Sequence, residues 1–183
     1  VENGFSVTNF ENIADLYVIN TCSVTENANK SCRSIIRKAK KNAPESFIIV
    51  TGCFAQLKPK EIANIQGVDM VLGANDKFNI PKLLLKLETN KEARIHGCEI
   101  NNLKYHSSYS LNDRTRSFLK IQDGCDYPCS YCTIPLARGK SRCDTIENIM
   151  NNANKIALKG IKEIVITGVN IGTFKDENKN FTD

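Results

Sequence analysis

Apolar residues fall in this chain as short runs separated by stretches of helical spacing. Leu16-Tyr17-Val18-Ile19, Phe47-Ile48-Ile49-Val50 and Val68 to Leu72 are brief runs of the kind that form buried strands. Between the first two, Ala28, Cys32, Ile35, Ile36 and Ala39 recur at helical spacing and predict a helix over Val24 to Lys41, with those residues on the sheet. Ser23, with Glu26 three residues on, makes a capping box at its start. A short helix is expected around Pro59 to Ile65, with proline in its first turn, and a third over Ile80 to Leu87. Strands alternating with helices through short links predict a parallel sheet.

The pattern fades from residue 89 to 115, where only Arg94 to Ile95 reads as a short strand. It resumes with an apolar strand at Ser117 to Ile121. A helix follows from Thr145 to Leu158, with Asp144 as its cap and Gly160 after its end. Glu163 to Thr167 is the next strand and stops at Gly168. The fold class expected is α/β. A parallel-sheet domain covers 1–88, a linker 89–115, and the beginning of a βα barrel 116–183. The chain opens on Val1 and stops within a polar stretch, so it reads as a piece of a longer protein.

Composition adds little. The hydrophobic fraction of 41% is ordinary, the net charge of +5 is mild, and no apolar run is long enough to span a membrane. The eight cysteines carry more information. Cys125, Cys129 and Cys132 are spaced C-x3-C-x2-C directly after an apolar strand. Three thiolates can hold three irons of a cubane and leave the fourth open to a small molecule. Electron-transfer cubanes normally take four cysteines, so three point to chemistry at the open iron. The competing reading is structural zinc, with Cys143, His96 or His106 as fourth ligand, although no second C-x2-C unit is present. No signal peptide is visible, which argues against a disulfide cluster.

Cys22 and Cys53 each stand three residues beyond a strand end, at Ile19 and Val50. In a parallel sheet both lie past the carboxyl ends of their strands, where open α/β folds bind ligands. Two cysteines are too few for a cubane, and burial as small hydrophobes is the plainer alternative.

Longer motifs now bear on the choice. Asn20-Thr21-Cys22-Ser23-Val24-Thr25, Val50-Thr51-Gly52-Cys53-Phe54-Ala55-Gln56, and Lys120-Ile121-Gln122-Asp123-Gly124-Cys125 with Arg138-Gly139 downstream together resemble the radical S-adenosylmethionine (SAM) methylthiotransferases. The resemblance is strongest, through Ile166-Thr167-Gly168-Val169-Asn170-Ile171-Gly172, to the branch that acts on threonylcarbamoyladenosine in tRNA. It implies two [4Fe–4S] clusters, one on Cys125, Cys129 and Cys132 and a second on Cys22, Cys53 and a cysteine the family carries further upstream. Cys98 is misplaced to substitute for that third ligand. It also implies SAM as cofactor, tRNA and an electron donor as partners, no DNA and no membrane, and a cytoplasmic enzyme. In the family, a 5′-deoxyadenosyl radical removes hydrogen from carbon 2 of the modified adenine, and sulfur arrives from the second cluster. Isopentenyladenosine in tRNA and a ribosomal-protein aspartate are the alternative family substrates.

Other residues join these by position. Tyr131 stands where an aromatic can lie beside the SAM adenine or merely fill space. Gly168 and Asn170 end a barrel strand, where glycine lets a cofactor approach the backbone. Lys30, Arg33, Arg37 and Lys41 form a basic helix face with no acid between Glu26 and Glu45. Such a face is either simply solvated or touches tRNA phosphates. Arg138 and Arg142 flank the cysteine loop as loop anchors or substrate contacts.

Overall fold

The computed structural model describes residues 4–22, 26–85, 94–97, 99–100, 103–111 and 115–183. Its backbone separates into two compact units, Val1–Asn101 and Asn102–Asp183.

In the first unit, β1 (Leu16–Thr21), β2 (Phe47–Gly52), β3 (Met70–Leu72) and β4 (Arg94–His96) form one sheet in that order. Every pairing is parallel, with Leu16 opposite Phe47, Ile49 opposite Met70 and Met70 opposite Arg94. Helices α1 (Glu26–Asn42), α2 (Cys53–Leu57), α3 (Pro59–Ala63) and α4 (Ile80–Leu84) connect the strands. The central strands β2 and β3 are buried on both faces, as inner parallel strands are, whereas Val18 of β1 and Ile95 of β4 are exposed at the sheet's edges. On one face Tyr17, Ile19, Ile48, Val50 and Val71 pack with Cys32, Ile36 and Ala39 of α1, with Ala43 just past its end, and with Phe54 and Ile62 of α2 and α3. On the other, Ile49, Met70 and Leu72 meet Ile80, Leu83 and Leu84 of α4.

Three expectations change here. The contact stripe of α1 is 32, 36, 39 and 43, spaced i, i+4, i+7, i+11, and Ile35 falls off it, 41% exposed. The five residues of α2 had no helical reading. The segment around Arg94 is a full member of the sheet, hydrogen-bonded along β3. The Ser23 capping box, the continuation of the third helix past Leu85, and Cys98 lie outside the described residues.

The second unit begins with β5 (Ser108–Tyr109), antiparallel to β6 (Arg116–Lys120). After β6 come β7 (Gln122–Asp123), the cysteine loop, α5 (Ile134–Arg138), β8 (Arg142–Cys143), α6 (Ile146–Leu158) and β9 (Glu163–Thr167). β9 lies parallel to β6, with Phe118 opposite Val165, so β6–α6–β9 is a βα crossover. Leu119, Ile121, Ile156 and Phe174 make its core, with Ile146, Ile149, Ala153 and Ile164 packed on it. The cap of α6 is Thr145, not Asp144: the Thr145 hydroxyl accepts from Asn148 N at 3.2 Å. Asp144 stands one residue earlier, and its Oδ1 accepts from Thr145 N and from Asn148 Nδ2. Thr145 wins because it has the extended backbone an N-cap needs while Asn148 sits at N3.

Candidate functional site

Two short antiparallel strands carry the cysteine loop. Gln122 pairs with Cys143 and Asp123 with Arg142, so β7 and β8 close its base. Gly124 turns the chain out of β7 with φ +75°, and a β-carbon there would lie 2.1 Å from the Lys140 carbonyl oxygen. Only glycine fits so close a backbone approach in that conformation. Cys125 N then donates to Gly139 O at 3.1 Å, and Ser141 N donates to Asp126 Oδ1 at 3.0 Å. Cys132 N donates to Cys129 O at 3.0 Å, drawing the last two cysteines into one turn. α5 follows with Pro135 near its start and stops at Gly139, φ +73°.

Charge fixes the same stem. Asp123 receives Lys120 Nζ at 3.5 Å, Arg138 Nη1 at 3.3 Å and Arg142 Nη2 at 3.2 Å. Burial works to raise the Asp123 carboxyl, but the three cations and the Gly124 N–H outweigh it and hold the group below its ordinary value. Arg142 also donates to Arg138 O at 2.5 Å and Lys140 O at 3.2 Å. Both arginines therefore tie the loop to its base.

Gln122 went unnoticed in the sequence. It is fully buried. Its Nε2 lies 2.7 Å from Gly124 O and 2.9 Å from Ser141 Oγ, while its Oε1 accepts from Val169 N and Asn170 N, both at 2.8 Å. Gly168 is small because Gln122 lies against it: a β-carbon there would meet Gln122 Oε1 at 2.9 Å. Asn170 opens a 3-10 turn, Ile171–Thr173, and its carbonyl accepts from the Thr173 hydroxyl at 2.8 Å. Tyr131 is 89% exposed.

In the first unit Thr21 and Gly52 are register partners, so Cys22 and Cys53 leave adjacent strands side by side at the carboxyl edge of the sheet. Gly52 has φ +100°, and a β-carbon there would lie 2.2 Å from Thr21 O. The Thr21 hydroxyl donates to Thr51 O at 2.6 Å and accepts from Ala55 N at 3.3 Å, which ties the strand end to α2. Cys22 is exposed and Cys53 half-buried.

Every described cysteine is a free thiol. Cys32 is buried in the core, where desolvation raises its pKa. Cys143 is half-buried, its thiol pushed up by burial, and its Sγ accepts from Lys175 N at 3.4 Å. Among the described residues no three His, Cys, Asp or Glu side chains are gathered to hold a metal ion as they stand. The loop 125–132 nevertheless suits a three-thiolate site by its donor set: three free, partly exposed thiols within eight residues on a stem fixed at both ends.

The basic face of α1 is partly neutralised. Arg33 pairs with Glu61 across from α3, Lys38 with Glu11 at 2.8 Å, and Lys40 with Asp69 at 3.6 Å. Lys30, Arg37 and Lys41 are exposed and have no ion pair among the described residues. Arg33 and Arg37 line an open cleft with Glu61, Asn64, Ile65 and Gln66. No helix among the described residues is long and apolar enough to cross a membrane.

Comparison with known proteins gives this geometry a context. Residues 1–73 match the family described as "Uncharacterized protein family UPF0004", a span that holds both Cys22 and Cys53. The chain is 36% identical over 177 residues to the threonylcarbamoyladenosine tRNA methylthiotransferase MtaB of Aquifex aeolicus, covering 95% of this chain and 43% of that protein. It is 39% identical over 186 residues to the protein of that name from Bacillus subtilis, covering 98% and 41%. It is 32% identical over 172 residues to the ribosomal protein uS12 methylthiotransferase RimO of Clostridium kluyveri, covering 91% and 39%. The chain thus spans about two fifths of the length of these relatives. Nearly all of its residues take part in these matches, and along its length the chain is similar to methylthiotransferases.

Proposed function

We propose that this chain is part of an enzyme that adds a methylthio group to carbon 2 of threonylcarbamoyladenosine at position 37 of tRNA. One observation carries the reading: three free thiols share one loop whose stem is hydrogen-bonded to the turn after β9. Relatives named for this tRNA substrate support it. In this reading Cys125, Cys129 and Cys132 hold a [4Fe–4S] cluster that also binds SAM. When bound, that group supplies the electron that breaks a carbon–sulfur bond of SAM.

The chain's own residues bind and position. Asp123 holds Lys120, Arg138 and Arg142 together and so keeps the base of the loop in one place. Gly168 and Asn170 lie at the end of β9, where the SAM nucleoside would rest, and Tyr131 would cover it from the loop. Cys22 and Cys53 would hold the second cluster together with a further ligand. Arg37, with Arg33 and the half-exposed Arg138, would meet tRNA phosphates. An electron donor completes the set, and the enzyme would work in the cytoplasm.

The test is mass spectrometry of tRNA nucleosides from a cell lacking its own enzyme and supplied with the full-length protein. A methylthio group on threonylcarbamoyladenosine is the expected outcome. The same group on isopentenyladenosine would move the protein to another branch, and no change in either nucleoside would overturn the tRNA assignment. The match to RimO favours a ribosomal-protein aspartate as the second reading, which intact-mass analysis of ribosomal proteins from the same cells addresses.

A further inference from the structure

We propose that Gln122 is the positioning residue that makes the cysteine loop and the turn after β9 a single body. This rests on the reading that the loop holds a cluster and the turn faces SAM. The two segments are 44 residues apart from Cys125 to Val169. Strands β6 and β9 bring their bases together, with Ile121 N donating to Thr167 O at 2.9 Å, and past that rung one side chain joins them. Its amide nitrogen reaches Gly124 O, beside the first cysteine, at 2.7 Å. Its amide oxygen takes both Val169 N and Asn170 N at 2.8 Å. A second path closes the ring: Gln122 Nε2 to Ser141 Oγ at 2.9 Å, Ser141 Oγ to Thr173 Oγ1 at 3.0 Å, and Thr173 Oγ1 to Asn170 O at 2.8 Å.

Burial and chemistry make this arrangement specific. Gln122 is fully buried, so an unmade bond there would leave a polar group without water. Its position needs a donor at one end and an acceptor at the other. Glutamate lacks the donor, and leucine lacks both. Gly168 supplies the space under the amide oxygen. A cofactor held by the loop and packed against the turn would thus find both parts already in register. Preorganisation of this kind lowers the cost of ordering two segments on binding.

The test uses the full-length protein with Gln122→Ala and Gln122→Glu, and with Gly168→Ala, which disturbs the same contact from the other side. Amide exchange is followed by mass spectrometry without iron and without SAM. Gln122→Ala should speed exchange by roughly tenfold both around Cys125 and at Val169–Asn170. Gln122→Glu keeps an acceptor for the turn and should loosen only the Cys125 side. Should Gln122→Ala fail to fold, Gly168→Ala is expected to loosen both segments together. With iron and SAM present, Gln122→Ala should raise KM for SAM by about tenfold while kcat for SAM cleavage changes little. Loosening of one segment alone in Gln122→Ala, or identical behaviour of the Ala and Glu variants, would overturn the proposal. Loss of SAM cleavage in the unaltered protein would instead count against the function reading, leaving the exchange result to stand by itself.

Discussion

Asp123 shows how much of this site is decided by one side chain. It is almost buried and gathers Lys120, Arg138 and Arg142, all of which tie segments of the loop base together. Asp123→Asn would leave Arg142, itself largely buried, without its counter-charge. We expect a loss of about 2 kcal/mol, below the usual figure for a buried pair because Arg138 is nearly half exposed. The pH dependence has a definite sign. The folded carboxyl is held below its unfolded value of about 3.9, so it binds fewer protons when folded. Its contribution is present above pH ~4 and is lost as pH falls through the folded value. Thermal melts of Asp123→Asn and the unaltered protein should therefore differ at pH 7 and draw together as pH falls from about 4 through the folded value. Differences that persist in acid would show that shape, not charge, matters there. Arg138 and Arg142 were visible in the sequence, since they flank the cysteines, but Asp123, the carboxylate that gathers them, was not. Gln122 was not, because its partners at Val169 and Asn170 lie 47 and 48 residues away and no periodicity reports such a contact.

Elements were legible wherever a period or a run was long enough. β1, β2 and α1, and later α6 and β9, fall within two residues of their expected bounds at the ends the structure describes. α2 was missed because five residues show no full helical period, and it opens on Gly52 with no side-chain cap. The short strand expected at Arg94 to Ile95 is β4, Arg94–His96; that it joins the sheet was not legible, because the segment is too short and polar for an apolar run and is recruited by hydrogen bonding to β3. Ile35 separates pattern from packing. We expect Ile36→Ala, fully buried, to cost about 3 kcal/mol and Ile35→Ala less than about 1 kcal/mol, measured by denaturant unfolding. Equal costs would place Ile35 in a contact the fold does not show. The same helix carries the basic face. Arg33 is already satisfied by Glu61, so Arg37→Glu should weaken tRNA binding across different tRNAs and reduce the salt slope by about one, whereas Arg33→Glu should do less. Unchanged affinity and slope in Arg37→Glu would return that face to plain solvation.

At the scale of the molecule, the chain divides into two compact units, Val1–Asn101 and Asn102–Asp183, and each carries its own cysteines. The α/β class and its parallel sheet could be read from the alternation of runs. That Cys22 and Cys53 follow the carboxyl ends of their strands could be read too, and the register of Thr21 with Gly52 puts them at one sheet edge. Which metal the thiols take could not, since zinc and iron both accept thiolate and differ in ligand number. That difference sets the last prediction. Three thiolates in one loop suit a cubane with an open iron, and two thiolates alone do not. After anaerobic reconstitution the chain should be brown and hold about four irons on Cys125, Cys129 and Cys132. Replacing any of those three by alanine should abolish both colour and SAM binding. Replacing Cys22 or Cys53 should leave that first cluster and its SAM binding in place, because they stand on a different unit. Elemental analysis that found zinc in place of iron, or a cluster that survived loss of Cys129, would defeat the assignment.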